Sequence, residues 1–199
     1  MMKPIDPSTI YRLFYPAVPA ILCSRYEGAV SGMPVISAVA LSGSPPRVGV
    51  AVAPTHSTYR TTVSSGAFSL SWMGKEQTRA VEMLGSTIRR RQEDKLRAVG
   101  LAHTDGRALD VPVPTACAAV LECSVFDDRD VGDHRLIIGD VKAAYATDDF
   151  DGYWTFKDYH PILYAGSRAG FATYDKILNR RARVPCRAPD CPGTRSGTA

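Results

Sequence analysis

Short runs of β-forming residues, separated by brief turn segments, limit the possible folds of this 199-residue chain more than any other feature. Such runs cover residues 17–24, 33–41, 47–53 and 67–73, with intervening segments at 27–28, 31–32, 42–46 and 54–66. Parallel neighbours need a crossover of about a dozen residues or more, which is longer than most of these connections. The pattern therefore predicts antiparallel pairing between neighbouring strands.

Helices are predicted beside these strands, at the start of the chain and in its middle. The other predicted elements are helices at residues 8–15 (capped by Ser8), 75–84 and 93–99, strands at 116–126 and 135–146, loops at 103–113 and 127–134, and an apolar segment at 161–165. Six or seven short strands with a few helices predict a mainly β fold, an antiparallel β-barrel with a few flanking short helices, since closure removes exposed edges. A β-sandwich also fits the pattern.

The composition is that of a globular domain with an appendage. Hydrophobic residues make up 45% and charged residues 22% of the chain, both near the average for globular proteins. No run approaches the roughly 18 consecutive apolar residues of a membrane helix, and the first residues lack the apolar stretch of a signal peptide. We therefore expect a cytoplasmic protein without a membrane partner, with a domain over residues 1–178 and a basic Pro/Arg-rich tail over residues 179–199.

The positive charge of the chain lies in that tail. Residues 180–199 hold five arginines and one aspartate, which accounts for the formal net charge of +4. The other 179 residues carry 19 basic and 19 acidic groups and are neutral. A nucleic-acid-binding surface needs clustered cations, so we expect no nucleic-acid partner.

The five cysteines and four histidines show no catalytic or metal-binding spacing. Cys23, Cys117 and Cys123 lie in apolar, strand-like runs, where a reduced cysteine packs as a small apolar residue. For Cys186 and Cys191 in the tail, half a zinc site or a disulfide is the alternative to free thiols. We predict no metal, and the chain has no Gly-x-Ser-x-Gly, Walker, Gly-x-Gly-x-x-Gly or His-Glu-x-x-His motif.

Two polar segments concentrate side chains that are suited to binding. Residues 54–62 hold five Ser or Thr residues with His56 and Arg60, a set that can donate several hydrogen bonds and positive charge to a phosphate. Residues 131–141 bring His134 from a loop to the start of a strand. On composition alone, a solvated loop and a hydrogen-bonded turn histidine are the alternatives.

Several short segments follow one another along residues 14–175: Phe14-Tyr15-Pro16, Ser31-Gly32-Met33-Pro34-Val35-Ile36-Ser37-Ala38-Val39, Pro45-Pro46-Arg47-Val48-Gly49-Val50, His56-Ser57-Thr58-Tyr59, Gly66-Ala67-Phe68-Ser69-Leu70-Ser71, Asp94-Lys95-Leu96, Leu121-Glu122-Cys123, Gly132-Asp133-His134 and Pro161-Ile162-Leu163-Tyr164-Ala165-Gly166. In this order they resemble the flavin reductase-like family of FMN-binding split β-barrels, which includes flavoredoxin and archaeal ferric reductase. The tail lies outside the resemblance.

The resemblance implies a homodimer in which each barrel binds one FMN near the subunit interface. The residues that it places along the isoalloxazine ring, largely through backbone groups, are Met33, Val35, Ile36, Ser37, Ala38 and Val39. Those that it places at the FMN phosphate are His56, Ser57, Thr58, Tyr59, Arg60 and Thr61. It places His134 near the exposed face of the flavin as the candidate catalytic residue.

The chain departs from the family pattern in two segments, residues 31–36, where the family commonly has Asn-x-Met-Thr-x-Ser, and residues 68–71. Pro34 and Ile36 stand where the family commonly has hydroxyl residues, and Ser71 stands where it usually has Asn. Proline also lacks a backbone N–H, so side-chain and backbone hydrogen bonds are lost together at position 34. Flavin contacts through other backbone groups remain available.

The activity that the resemblance implies is an FMN-dependent NAD(P)H:flavin or ferric reductase. A hydride would pass from NADH or NADPH to bound FMN, and electrons on to free flavin, ferric iron or a partner protein. Such a step needs orientation by the protein rather than an acid or base, which is consistent with the absence of a catalytic motif. The alternatives are a flavoredoxin-like electron-transfer protein that does not use NAD(P)H, and a barrel that no longer binds flavin.

Overall fold

The structure is a computed structural model that describes Met2, residues 4–86 and residues 94–174. Its strands are β1 (Ala20–Tyr26), β2 (Ala29–Val35), β3 (Val39–Gly43), β4 (Pro46–Val52), β5 (Ala67–Met73), β6 (His103–Asp105), β7 (Pro112–Pro114), β8 (Cys117–Asp130), β9 (Arg135–Ala146), β10 (Leu163–Tyr164) and β11 (Phe171–Ala172). Its α-helices are α1 (Ser57–Ser65), α2 (Thr78–Gly85) and α3 (Lys95–Ala98), and 3-10 helices cover Pro7–Phe14 and Lys75–Gln77. The predicted tail, with Cys186 and Cys191, lies outside the described residues.

Seven strands form one sheet in the spatial order β2-β1-β5-β8-β9-β4-β3, and every neighbouring pair is antiparallel. Val35 of β2 and Val48 of β4, from opposite ends of this order, belong to one buried cluster with Phe68 of β5. The sheet therefore curls until its two ends share a core. A single curled antiparallel sheet with a few short helices confirms the predicted fold class. It excludes the alternative of a β-sandwich, in which the strands would form two facing sheets.

Strand β1 is buried on both faces and separates two cores. Its side chains alternate, so that Ala20 and Leu22 enter the cluster inside the curled sheet. Ile21 and Cys23 enter a second cluster that includes Leu96 of α3. Helices α2 and α3 thus cover the outer face of the sheet, whereas Tyr59 of α1 packs against the inner cluster. The predicted burial of the cysteines is confirmed for Cys23 and Cys123, which are 0% exposed, whereas Cys117 is only partly buried. Burial raises the pKa of the Cys23 and Cys123 thiols.

The predicted strand at residues 33–41 is wrong in its extent, because a bend at residues 36–38 divides it between β2 and β3. The Ser37 hydroxyl donates to the Ala51 carbonyl at 2.8 Å and accepts from the Ala51 N–H at 3.1 Å, which holds the bend against β4. The predicted turn at residues 31–32 is also wrong. Ser31 and Gly32 lie inside β2, and Gly32 packs against Leu96 so closely that a Cβ there would be 2.9 Å from Cδ2.

Other boundaries differ from the predictions where pairing or capping extends an element. Residues 57–65 form α1 instead of an irregular connection, and β8 continues to Asp130 because its pairing with β9 runs to the end of that hairpin. The predicted loop at residues 103–113 contains β6 and the start of β7. The first helix is a 3-10 helix, and the Asp6 carboxylate caps it by accepting from the Ser8 N–H at 2.9 Å.

Two kinds of feature are absent from the described part of the chain. No helix there has the length and apolar character to cross a bilayer. Within the same residues, no three His, Cys, Asp or Glu side chains converge as a metal site.

Candidate functional site

The N-terminus of α1 carries the features of an anion-binding site. His56 is the N-cap residue, and no side chain caps the helix. The first turn contains no acidic residue. The first amides of an α-helix have no partner within the helix, and the helix dipole makes this end positive. The nine-residue helix therefore presents backbone donors and a partial positive charge to any anion placed there.

Four basic side chains surround this end of α1, and we call His56, Arg60, Lys95 and His134 the cation cluster. The Lys95 ammonium donates a hydrogen bond to the Ser57 hydroxyl. Burial lowers the pKa of Lys95, and the charge of Arg60 lowers it further. Burial also lowers the pKa of His56, with added effects from the charges of His134 and Lys95. A bound anion would relieve the mutual repulsion of these groups.

Three hydroxyl groups of α1, those of Thr58, Tyr59 and Thr61, are hydrogen-bonded within the protein. The Thr58 hydroxyl is buried and shares a 2.9 Å hydrogen bond with the Ser31 hydroxyl of β2. The Tyr59 hydroxyl donates to an Asp128 carboxylate oxygen at 2.7 Å. The Thr61 hydroxyl donates to the Ser57 carbonyl at 3.0 Å. The hydroxyl groups of these three residues are therefore engaged within the protein, whereas the Ser57 hydroxyl contacts Lys95 of the cation cluster.

The predicted ring-binding segment begins inside β2, with Met33 and Val35, and ends at Val39, the first residue of β3. Ser31, two residues before Met33, links β2 to α1. Val35 is buried in the core, and Met33 and Ala38 pack against the same core. Ile36 and Val39 are 38% and 51% exposed. Ser37 holds the bend against β4, as described above. This stretch therefore offers exposed apolar side chains and irregular backbone rather than hydroxyl groups.

Pro34 lies in β2, which is an edge strand of the seven-stranded sheet. An edge strand tolerates proline because one side of its backbone has no ladder to complete. Pro34 also packs against α2, where a Cβ on Gly85 would lie 3.1 Å from its Cγ. The proline is thus accommodated by the fold at a position where the family commonly has a hydroxyl residue.

His134 lies in the tight connection between β8 and β9. The Val131 N–H donates to the His134 carbonyl at 3.1 Å, and Gly132 has the left-handed φ of 102° that this turn requires. The His134 Nδ1 lies 2.8 Å from an Asp133 carboxylate oxygen, and the side chain is 43% exposed. The hydrogen bond from Tyr59 of α1 to Asp128 of β8 ties the helix to this hairpin, and the charge of His134 contributes to lowering the pKa of His56.

Lys95 is the residue of this cluster that the sequence-based site omits. It lies 38 residues beyond Ser57, at the start of a four-residue helix. The one available signal is its place in the Asp94-Lys95-Leu96 segment of the resemblance. The sequence analysis also does not identify Ser31 as the hydrogen-bond partner of Thr58. The sequence around a serine in a strand does not show which residue its hydroxyl contacts.

A family model described as "Flavin reductase like domain" matches residues 11–170, which is most of the chain. The chain belongs to the flavin reductase like family. This confirms the resemblance, and residues 11–170 contain every residue of the cation cluster. The domain boundary predicted at residue 178 stays a prediction.

Two archaeal relatives of this family member show how far the similarity extends. An uncharacterized protein of Aeropyrum pernix is 31% identical over 166 residues, covering 83% of this chain and 63% of that protein. The chain therefore spans less than two thirds of that relative. A ferric-chelate reductase (NAD(P)H) of Archaeoglobus fulgidus is 27% identical over 157 residues, covering 78% of this chain and 89% of that protein.

Two solved structures share the fold over more than nine tenths of this chain. An FMN-binding protein of Thermus thermophilus with bound p-hydroxybenzaldehyde has a TM-score of 0.78 and 25% identity, covering 91% of this chain and 99% of that chain. Flavoredoxin of Desulfovibrio vulgaris (Miyazaki F) has a TM-score of 0.77 at 18% identity, covering 92% of this chain and 99% of that chain. At that identity the second likeness concerns the fold alone.

Proposed function

We propose that this flavin reductase like protein is an NAD(P)H-dependent oxidoreductase that binds FMN with its phosphate at the N-terminus of α1. The cation cluster around an uncapped helix end is the observation that carries the proposal. The family membership and the FMN-binding and NAD(P)H-dependent activities named for two relatives support it.

The residues present fit a flavin mononucleotide. A phosphate dianion accepts charge-assisted hydrogen bonds from ammonium and guanidinium groups and from helix amides, all of which meet at α1. Lys95 and Arg60 would hold the phosphate oxygens together with the Ser57 hydroxyl and the first-turn amides. The bend at residues 36–38 and the exposed side chains of Ile36 and Val39 would hold the apolar ring system.

Bound FMN supplies the redox chemistry, because it can take two electrons from a reduced nicotinamide and pass them to an acceptor. The chain's own residues bind and orient the reactants. His134, half exposed and held by Asp133, would border the open side of the site, where a nicotinamide or an acceptor binds. Candidate acceptors are free flavin, ferric iron and a partner protein.

A flavin titration tests the phosphate assignment. We expect Lys95→Met to weaken FMN binding about tenfold or more, since a hydrogen bond to a charged group is worth roughly 1.5–3 kcal/mol. Riboflavin, which lacks the phosphate, should bind wild type and variant alike. Lys142→Met is the matched control, because Lys142 lies outside the cluster and faces Asp140. Equal losses for both flavins, or none, would contradict the assignment.

Anaerobic titration of the FMN-loaded protein with NADH and NADPH tests the activity. Bleaching of the flavin absorbance by either nucleotide is the expected result. Bound flavin that neither nucleotide reduces would identify an electron-transfer protein instead. Failure to bind any flavin after reconstitution would leave a protein with the fold and without the activity.

We further propose that the protein acts as a homodimer with the flavin near the interface. The 3-10 helix Pro7–Phe14 has no buried residue, and its side chains Leu13 and Phe14 are 70% and 76% exposed. Helices of this type are rarely longer than a few residues without support. A second copy of the chain would cover these apolar side chains.

A further inference from the structure

Lys95 lies in helix α3, which is too short to be stable without contacts to the rest of the protein. Helix α3 has four residues, far fewer than the roughly 12 to 15 that an isolated helix needs in water. The fully buried Leu96 anchors its middle against Gly32 of β2. Its beginning is fixed separately, by Asp94, which forms a parallel bridge with Val30 of β2. The direction of the Lys95 side chain therefore depends on the residues around Asp94.

The Asp94 carboxylate joins two elements. It caps α3 by accepting from the Arg97 N–H at 3.0 Å, and its Oδ2 lies 2.7 Å from Nε2 of His103, the first residue of β6. Burial by itself would raise the pKa of Asp94, yet the Arg97 N–H and His103 together hold that pKa below its usual value. The carboxylate thus stays ionised and ties the start of α3 to β6.

Among the residues that the structure describes, Asp94 is the one polar partner of the His103 side chain. Its side chain is 6% exposed, and its Nδ1 is buried without a hydrogen-bond partner. Buried polar atoms are nearly always paired, and leaving one unpaired costs stability. A buried apolar residue would avoid that cost at this position. The orientation of the ring toward Asp94 is therefore the feature that distinguishes histidine from an apolar residue here.

We propose that the Asp94–His103 pair positions Lys95 at the N-terminus of α1 and thereby sets the affinity of the protein for the phosphate end of its ligand. The inference rests on the proposed function and deepens it. Neither residue belongs to the cation cluster, so both are positioning residues that act through Lys95. Their loss should affect a phosphorylated flavin and spare its unphosphorylated analogue.

FMN and riboflavin titrations of three variants test this. His103→Leu removes the contact, Asp94→Asn removes its charge while keeping a good N-cap residue for α3, and His103→Gln restores a donor. We expect the first two to weaken FMN binding about fivefold or more, with riboflavin affinity changed by less than about twofold. His103→Gln should recover part of the FMN affinity. His160→Leu is the control for loss of a histidine elsewhere.

A double-mutant cycle separates positioning from a general structural effect. In the Lys95→Met background, His103→Leu should cause no further loss of FMN affinity, because the group it positions is already gone. An additive loss, or an equal loss for riboflavin, would overturn the proposal. Thermal unfolding of each variant establishes that it is folded, and Asp94→Asn provides the same test if His103→Leu does not fold.

The two proposals fail in different ways. If Lys95→Met leaves the ratio of FMN to riboflavin affinity unchanged, the phosphate site itself is wrong and the positioning role falls with it. If Lys95→Met lowers the ratio and neither Asp94→Asn nor His103→Leu does, the phosphate site stands and only the positioning role is wrong.

Discussion

At the scale of single residues, Glu122 illustrates how a buried charge is kept in a core. The residue is 0% exposed in β8, and its carboxylate accepts from the N–H groups of Arg107, Ala108 and Leu109 at 2.6 to 2.9 Å and from the Tyr145 hydroxyl at 3.0 Å. Burial acts to raise the pKa of Glu122, and these donors outweigh it, so the pKa lies below its usual value. The carboxylate therefore anchors the loop before β7.

This arrangement predicts that Glu122→Gln destabilises the protein by roughly 1–3 kcal/mol at neutral pH, because an amide cannot accept from all four donors. A lowered carboxyl pKa stabilises the fold above the pKa of the unfolded chain, about 4.3, and this contribution is lost as pH falls through the lower value of the folded state. The difference in unfolding free energy between wild type and variant should therefore shrink in acid.

Urea unfolding at pH 7 and pH 4 measures both effects. Glu82→Gln, at an exposed position of α2, is the matched control and should change neither value appreciably. A difference that stays constant between the two pH values would contradict the assigned role of the ionised carboxylate.

At the scale of elements, Gly139 of β9 leaves room for the ring of Phe68 in β5, the strand on the other side of β8. A Cβ at this position would lie 2.5 Å from Cζ of the fully buried Phe68 and 2.9 Å from Cβ of Cys123. We expect Gly139→Ala to destabilise the protein by roughly 1–3 kcal/mol, since overfilled cores force side chains and backbone apart. Chemical denaturation measures this, and adding Phe68→Leu should recover part of the loss.

The strand glycine Gly43 offers the comparison within the same sheet. It ends β3, an exposed edge strand, and a Cβ there would meet no atom within 4 Å. Gly43→Ala should stay within about 0.5 kcal/mol of wild type. Equal effects of the two substitutions would show that backbone propensity, and not the contact with Phe68, sets the cost.

At the scale of the whole molecule, the proposed homodimer makes the assembly depend on the first helix. Replacing Leu13 and Phe14 together by serine should shift the protein from dimer to monomer in sedimentation velocity, because the substitutions remove the exposed apolar side chains of Pro7–Phe14. Tyr153→Ser changes an 86% exposed aromatic residue elsewhere and should leave the dimer intact. A wild type that sediments as a monomer, or a double variant that remains dimeric, would contradict the proposed interface.

The strands and short helices were largely predictable, because they depend on local patterns. Strands β5 and β9 have the predicted bounds, residues 67–73 and 135–146. The errors arise where a distant contact overrides the local pattern. Ser37 bonds to Ala51 and divides an apparently continuous strand, and Gly32 continues β2 because Leu96 packs upon it.

Residue types and their order along the chain are enough to predict the fold class, the family and the two segments that border the candidate site. Which side chains reach that site depends instead on how the folded elements pack. The Thr58 hydroxyl is hydrogen-bonded to Ser31, and Lys95 contacts Ser57 although the two residues are 38 positions apart in the sequence. The direction of a side chain on a helix, and the neighbours of a short helix, are set by packing between elements far apart in sequence, which no local pattern encodes.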